Sequence, residues 1–190
     1  MMDRSWLFHH EWLRNPLQVG AIAPSSASLG AAITRGLGPT ASQVLELGPG
    51  TGVFTRAMIE QGVPATRITA IEASSAFASS LARMQPQIHV VRGDASRLCK
   101  LLPNQNRTVK TVICGLPLLS MGLPTVYRII HDSFQLLSDD GEFRLFTYGP
   151  NCPVPGAILD RINLDAERSG VVPMNLPPAP VFTLTRRAIA

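Results

Sequence analysis

The stretch Val44–Thr55, VLELGPGTGVFT, is the part of the sequence that most strongly indicates the fold. An apolar run interrupted by Glu46 leads into a turn with three glycines, Gly48, Gly50 and Gly52, and a second apolar run follows. This order is typical of a buried strand that passes through a glycine-rich turn into a helix, where backbone N–H groups approach a bound ligand closely. Glycine permits that approach because it has no Cβ and accepts positive φ angles.

Length, composition and charge narrow the class of protein. A chain of 190 residues with 45% hydrophobic residues is predicted to form one domain that buries roughly 70% of its unfolded surface. The net charge of +4 favours an anionic partner, either a membrane surface or a nucleic acid. The cationic residues are scattered without a Lys/Arg run, which argues against nucleic acid.

The cysteines and the apolar runs bear on the compartment. Cys99, Cys114 and Cys152 are odd in number and far apart, so neither a disulfide framework nor a metal site is expected. They are interpreted as structural residues of a protein in a reducing compartment. Signal-peptide features and uninterrupted apolar runs of about 18 residues are both absent from the sequence, so we expect a cytoplasmic protein.

The N-terminal residues 3–14, DRSWLFHHEWLR, have the pattern of a short amphipathic helix. Its apolar residues include Trp6, Phe8 and Trp12. Two interpretations stay open: a helix packed on the domain, or an interfacial helix that inserts its aromatic side chains into an anionic membrane.

The sequence up to residue 38 is predicted to be an N-terminal segment, followed by a core over 39–190. Asn15-Pro16 ends the first helix, and residues 17–24 are expected to be irregular. Ser25 or Ser26 is a candidate N-cap for a second helix that continues to about Arg35. Glycines and a proline over 36–39 then separate this segment from the core.

From the glycine turn onward, strand and helix patterns alternate. Strands are predicted over 44–47, 67–72, 88–91, 108–114, 142–147 and 181–185, and helices over 53–61, 75–84, 96–102, 123–137 and 158–168. This alternation predicts an α/β, doubly wound, mostly parallel sheet with helices on both faces.

Acidic residues follow two of the predicted strands. Glu72 ends the second strand, where a carboxylate suits ribose hydroxyls, and Asp94 follows the third, where it suits an adenine amino group. Because ligands of such sheets bind at the carboxyl ends of the strands, a nucleoside cofactor is predicted. These residues alone leave NAD(P) and S-adenosylmethionine open.

The segments LELGPGTG, Glu72 and GDA at 93–95 together resemble the class I S-adenosylmethionine-dependent methyltransferases. The resemblance implies S-adenosylmethionine as cofactor, with S-adenosylhomocysteine as product, and a seven-stranded sheet whose last strand is antiparallel. It also implies a set of cofactor-binding residues: Glu46, Gly48, Gly50, Thr51, Gly52, Glu72, Ala73, Gly93, Asp94, Ala95 and Gly115.

A closer resemblance spans nearly the whole chain. NPLQVGAIAPSS at 15–26, CGLPLLS at 114–120, FTYGPNCPVP at 146–155 and NLPPAPV at 175–181, with the glycine turn, are similar to the bacterial phospholipid N-methyltransferases. That family implies a peripheral enzyme on the inner face of the cytoplasmic membrane, which methylates phosphatidylethanolamine towards phosphatidylcholine. Residues 169–174 depart from the family because they lack the expected aromatic and basic residues.

The acceptor side of the site is predicted from the same resemblance and from amine chemistry. Tyr148 is a candidate for orienting the amine through its hydroxyl or its ring face. The histidines His9 and His10 are candidates for accepting the proton that the amine must lose before it attacks. Substrate or membrane contacts are expected from Leu116, Leu118 and Ser120, in addition to the N-terminal aromatic residues. These patterns make no prediction about oligomeric state.

Three alternatives remain. The ribosomal RNA adenine dimethyltransferases have a similar glycine motif, but they carry Asn-Leu-Pro and an aromatic residue where this chain has Gly115-Leu116-Pro117-Leu118. Neither the amide nor the ring that stacks on a flipped base is present. The other two are a soluble small-amine methyltransferase and a membrane-binding protein that retains the fold without catalysis.

Overall fold

Seven strands and six α-helices form the part of the chain that the computed structural model describes, residues 22–173 and 178–188. Side chains are described from residue 27 onward. The strands are β1 (Gln43–Leu47), β2 (Ile68–Glu72), β3 (His89–Arg92), β4 (Val109–Cys114), β5 (Leu137–Phe146), β6 (Leu164–Val172) and β7 (Ala179–Arg186). The helices are α1 (Ile22–Ile33), α2 (Val53–Glu60), α3 (Ser75–Met84), α4 (Leu98–Leu101), α5 (Leu123–Leu136) and α6 (Gly156–Arg161). Short 3₁₀ turns cover Ala65–Arg67, Ala95–Arg97 and Leu118–Ser120.

All seven strands belong to one sheet in the order β3-β2-β1-β4-β5-β7-β6. The first five strands pair in parallel, and β7 pairs antiparallel with both β5 and β6. The predicted seven-stranded, mostly parallel sheet with an antiparallel last strand is therefore confirmed. The order reverses between β1 and β4, so the carboxyl ends of these two strands form the crevice where such sheets bind ligands.

Side chains alternate between two cores, one on each face of the sheet. From β1, Leu45 and Leu47 join the core that packs against α5, while Val44 faces the core beneath α1, α2 and α3. Since side chains alternate along a strand, Glu46 shares the face of Val44. It is completely buried there.

The predicted helix over 158–168 is wrong beyond residue 161. Helix α6 ends at Arg161, and Asn163 adopts a positive φ of 56°, a backbone conformation that commonly follows a helix end. The chain then forms β6, which pairs with β7 alone among the described strands. Because β6 is an edge strand with only Leu164 and Val172 buried, its sequence lacks the alternating apolar pattern that would have identified it.

Two boundaries also differ from prediction. Helix α1 already includes Ile22, so Ser25 lies inside the helix instead of capping it, and the predicted irregular segment ends earlier. Strand β5 begins at Leu137 instead of residue 142. Leu137 already pairs with β4, as do residues 142–145, and residues 138–141 form an irregularity between these two paired stretches. Arg186 holds this irregularity by donating to the backbone carbonyls of Leu137 and Ser138.

Helix α1 is attached to the sheet through Arg144 of β5. The Arg144 guanidinium donates to the carbonyl oxygens of Ile33 at 3.1 Å and Arg35 at 2.7 Å, and it pairs with Glu142. A cation at the C-terminal end of a helix stabilises the exposed carbonyls. None of the described helices is long and apolar enough to cross a bilayer.

Candidate functional site

The glycine turn connects β1 to α2 at the carboxyl edge of the sheet. Gly48 and Gly50 have φ angles of +69° and +53°, which other residues rarely adopt. A Cβ on Gly48 would lie 2.5 Å from Leu116 Cδ2, so the Leu116 side chain would have to shift to admit one. A Cβ on Gly50 would have no neighbour within 4 Å. Open space therefore lies above the turn at Gly50.

Glu46 is the most unusual charged residue among those described. Its Oε2 accepts a 2.5 Å hydrogen bond from the Thr55 hydroxyl, whereas its buried Oε1 has no hydrogen-bond partner in the described structure. Burial raises the pKa of Glu46 from 4.5 to about 7; the hydrogen bonds from Thr55 oppose this rise, and the nearby charge of Glu72 adds to it. A buried oxygen without a donor is costly, so this site favours a ligand that supplies one.

Glu72 lies at the end of β2 and is 8% exposed. Its Oε2 accepts from the Gly50 backbone N–H at 3.0 Å, and its Oε1 accepts from the Ser74 N–H at 2.8 Å. Each carboxylate oxygen has a further lone pair. Glu72 therefore holds the glycine turn and can also accept hydrogen bonds from ribose hydroxyls.

Asp94 is exposed at the end of β3, where its Oδ1 accepts from the Ser96 N–H at 2.8 Å. This bond caps the 3₁₀ turn that begins at Ala95. Gly93 precedes it, and a Cβ there would lie 2.6 Å from Leu101 Cδ1. A side chain at Gly93 would therefore displace Leu101, and Asp94 shapes the same loop.

The remaining predicted cofactor residues surround these positions. Thr51 and Ala73 are exposed, whereas Gly52 is buried and precedes α2. Gly115 follows β4, and a Cβ there would lie 2.8 Å from the carbonyl oxygen of Gly48. The loop after β1 and the loop after β4 are therefore in direct contact.

The leucines of the loop after β4 differ in their exposure to solvent. Leu118 is 3% exposed and packs in the core, while Leu119 is 66% exposed. Leu116 packs on the same core and against Gly48. The Ser120 hydroxyl donates to the carbonyl of Pro117 at 2.8 Å. Leu119, which sequence reasoning missed, is consequently the exposed leucine of this loop.

Tyr148 follows β5 and is 49% exposed. Its ring meets Phe146 edge-on at 5.6 Å, and Phe146 meets Phe54 of α2 in the same way at 5.7 Å. A Cβ on the adjacent Gly149 would lie 3.8 Å from Leu119 Cδ1. The loops after β4 and β5 therefore meet beside the glycine turn. Ring contacts connect Tyr148 through Phe146 to Phe54 of α2.

Sequence reasoning also missed Thr55, although the signal was present. Thr55 lies nine residues after Glu46 inside the quoted stretch, and its side chain is fully buried. A buried hydroxyl close to a buried carboxylate in sequence could have been recognised as a donor.

The predicted substrate, membrane and proton-accepting residues of the N-terminal segment lie outside the described residues. They are Trp6, Phe8, His9, His10 and Trp12.

The three cysteines are free thiols, and burial raises the pKa of Cys114 to about 12. Such a thiol stays protonated and unreactive near neutral pH.

Among the described residues, no group of three metal-ligating side chains is close enough to hold a metal ion.

Comparison with known proteins identifies the family. Residues 44–141, slightly more than half of the chain, match the family described as a methyltransferase domain. The chain belongs to this family. The solved structure of Burkholderia thailandensis 1,6-didemethyltoxoflavin-N1-methyltransferase, which holds 1,6-didemethyltoxoflavin and S-adenosylhomocysteine, matches with a TM-score of 0.68 at 18% identity. The match covers 97% of this chain and 87% of that one, and it establishes the fold.

Two relatives are named for different methyl acceptors. Ribosomal RNA small subunit methyltransferase A of a Synechococcus species is 39% identical over 103 residues, which are 53% of this chain but only 33% of that protein. Ornithine lipid N-methyltransferase of Singulisphaera acidiphila is 27% identical over 188 residues, 95% of each chain. The chain therefore spans about a third of the first relative and nearly all of the second.

The residues at the glycine turn fit S-adenosylmethionine. The unpartnered Glu46 Oε1 can accept from an amino group, the space above Gly50 admits a ligand, and Glu72 can accept from ribose hydroxyls.

Proposed function

We propose that this protein is a methyltransferase that uses S-adenosylmethionine to methylate the amine of a membrane lipid. The first candidate acceptor is phosphatidylethanolamine with its mono- and dimethyl forms, and ornithine lipid is the second. We further propose that the protein works at the inner face of the cytoplasmic membrane. The division into an N-terminal segment over 1–38 and a core over 39–190 belongs to this proposal.

The predicted cofactor, S-adenosylmethionine, is confirmed by the methyltransferase family and by neighbours of the same fold with a bound cofactor of this kind. When bound, it supplies a methyl group on a positively charged sulfur. The role of this chain is to place that group and the acceptor in line, because correct positioning can contribute about 7–11 kcal/mol to such a reaction.

The observation that carries the lipid proposal is the exposed apolar surface beside the glycine turn. Leu119 is 66% exposed, Leu123 61% and Tyr148 49%, and all three follow the carboxyl ends of β4 and β5. Large apolar side chains grouped at a ligand-binding edge favour an acceptor with apolar parts. The similarity to ornithine lipid N-methyltransferase along 95% of both chains supports the same acceptor class.

In this proposal Tyr148 orients the acceptor amine. The amine must be neutral to attack, and exclusion of water by Leu119 and Tyr148 disfavours its charged form. After methylation the nitrogen is cationic again, and the Tyr148 ring face can stabilise it.

The decisive experiment incubates the full chain with radiolabelled S-adenosylmethionine and four acceptors in parallel. These are vesicles with phosphatidylethanolamine, vesicles with ornithine lipid, free ethanolamine and ribosomal RNA. Label in the lipid extract is expected. Label only in RNA would favour the adenine alternative, and label only in ethanolamine a soluble-amine enzyme. Vesicle binding without any labelled product would indicate a catalytically silent protein. Each of these three results would overturn the proposal.

A further inference from the structure

A groove of about 490 Å³ lies between the N-terminal half of α5 and helix α6. Its walls include Leu123, Tyr127 and Arg128 from α5, and Ile158 and Arg161 from α6. Leu123 is largely exposed at one side, while Ile158 is buried at the base. The groove thus combines apolar walls with two guanidinium groups.

Among the described residues, no acidic side chain neutralises the charge of this groove. Arg161 stacks on the Tyr127 ring at 5.3 Å, and within the described residues neither Arg128 nor Arg161 pairs with a carboxylate. Asp160, next to Arg161 in sequence, pairs with Arg187 instead. Both cations are therefore available to an anionic ligand.

The position of the groove connects it to the candidate active site. Helix α5 begins directly after the loop that follows β4, and α6 begins at the end of the loop that follows β5. These are the two loops that meet at Leu119 and Gly149 beside the glycine turn. A molecule in the groove would therefore extend from the same edge of the sheet at which the methyl group is transferred.

We propose that this groove binds an anionic lipid of the membrane, with Arg128 and Arg161 on its phosphate or carboxylate and Leu123 and Ile158 on its acyl chain. The proposal rests on the proposed function for the identity of the bilayer as partner. Arginine suits this role because its planar guanidinium binds phosphate and carboxylate through two parallel hydrogen bonds. An apolar wall beside such cations matches a lipid, whose charged group and acyl chains are adjacent.

The test measures partition of the full chain onto phosphatidylcholine vesicles with and without phosphatidylglycerol, without cofactor. The double variant Arg128→Gln and Arg161→Gln is compared with Arg35→Gln and Arg83→Gln, which remove the same charge from exposed positions outside the groove. One cation near an anionic surface contributes about fivefold to partition, so the groove variant should bind about 25-fold more weakly. The control should stay within about twofold of the unmodified protein because its cations lie away from the bound surface.

A second pair of variants tests the apolar wall. Leu123→Asp is compared with Met84→Asp, because Leu123 and Met84 are 61% and 50% exposed and neither change disrupts the core. Loss of an inserted leucine should weaken partition roughly tenfold in the groove variant only. Equal partition of the groove and control variants in both pairs would overturn the proposal. Inorganic phosphate that displaces the protein completely from the vesicles would also overturn it, since it would indicate a site for free anions.

Failure of this proposal and failure of the proposed function give different results. Labelled lipid with no loss of partition in the groove variants would reject the groove and leave the enzyme intact. Loss of partition without any labelled lipid would support the groove and reject lipid methylation.

Discussion

Glu46→Gln is expected to remove a strong pH dependence of stability. In the native protein the Glu46 pKa is about 7 because of burial, compared with 4.5 for an exposed carboxyl. Between these pH values the native state holds a proton that the unfolded state releases, so the free energy of unfolding falls as pH rises. The pKa difference corresponds to about 3 kcal/mol, fully developed above pH 7. Glutamine has no charge to bury, so this contribution disappears in the variant.

The assay is urea unfolding followed by far-ultraviolet circular dichroism, without cofactor, at about pH 5 and about pH 8. Ionisable groups away from Glu46 contribute equally to both proteins and cancel in the difference, whereas the nearby Glu72 is part of the measured effect because its charge raises the Glu46 pKa. We expect the stability of Glu46→Gln relative to the unmodified protein to rise by about 2–3 kcal/mol from the lower to the higher pH, slightly less than the full difference because about pH 5 already lies above 4.5. Glu60→Gln, at an exposed position, serves as a control for loss of an acidic group. The reasoning is refuted if Glu46→Gln and the unmodified protein change in parallel.

Three further predictions concern the same site. Gly50→Ala and Gly36→Ala both place a side chain at a positive φ in open space, so each should lose about 1 kcal/mol of stability. Only Gly50→Ala should weaken S-adenosylmethionine binding in titration calorimetry, and equal affinities would contradict the site. Thr55→Val should lower stability by about 1–3 kcal/mol, more at about pH 8 than at about pH 5 because the Thr55 hydroxyl stabilises charged Glu46; an equal loss at both pH values in urea unfolding would contradict this role. Tyr148→Ala should reduce kcat for labelled lipid about tenfold, whereas Tyr148→Phe retains the ring and most of the rate; unchanged kcat in both would exclude Tyr148 from the acceptor site.

The parallel part of the sheet could be predicted because clear turn residues separate its strands and because β1, β2 and β4 are short and largely buried. The quoted stretch alone places β1, the glycine turn and α2. Strand β6 could not be predicted, since an edge strand paired with β7 owes its conformation to that pairing and not to an apolar pattern. The extension of β5 back to Leu137 could not be predicted either. It is held by hydrogen bonds from Arg186 to the carbonyls of Leu137 and Ser138, which lie about 50 residues earlier in the chain.

The candidate site shows a similar division. Glu46 could be recognised because it interrupts an apolar strand, and Glu72 because it ends one; the structure puts both beside the glycine turn. Their partners are less accessible to sequence reasoning: Glu72 accepts from the Gly50 N–H only because two strands are adjacent. The separation of Leu118 from Leu119 depends on one 3₁₀ turn, whose orientation no local pattern reveals.

The contact between Gly48 and Gly115 makes the positions of two loops interdependent. Each glycine leaves room for the other loop: a side chain on Gly115 would lie 2.8 Å from the Gly48 carbonyl oxygen, and one on Gly48 would lie 2.5 Å from Leu116 Cδ2. Under the proposed function, the loop after β1 would hold the methyl donor and the loop after β4 would lie beside the acceptor. A substitution at Gly115 would therefore alter both positions at once, whereas Leu119 is exposed and can be replaced without displacing the glycine turn.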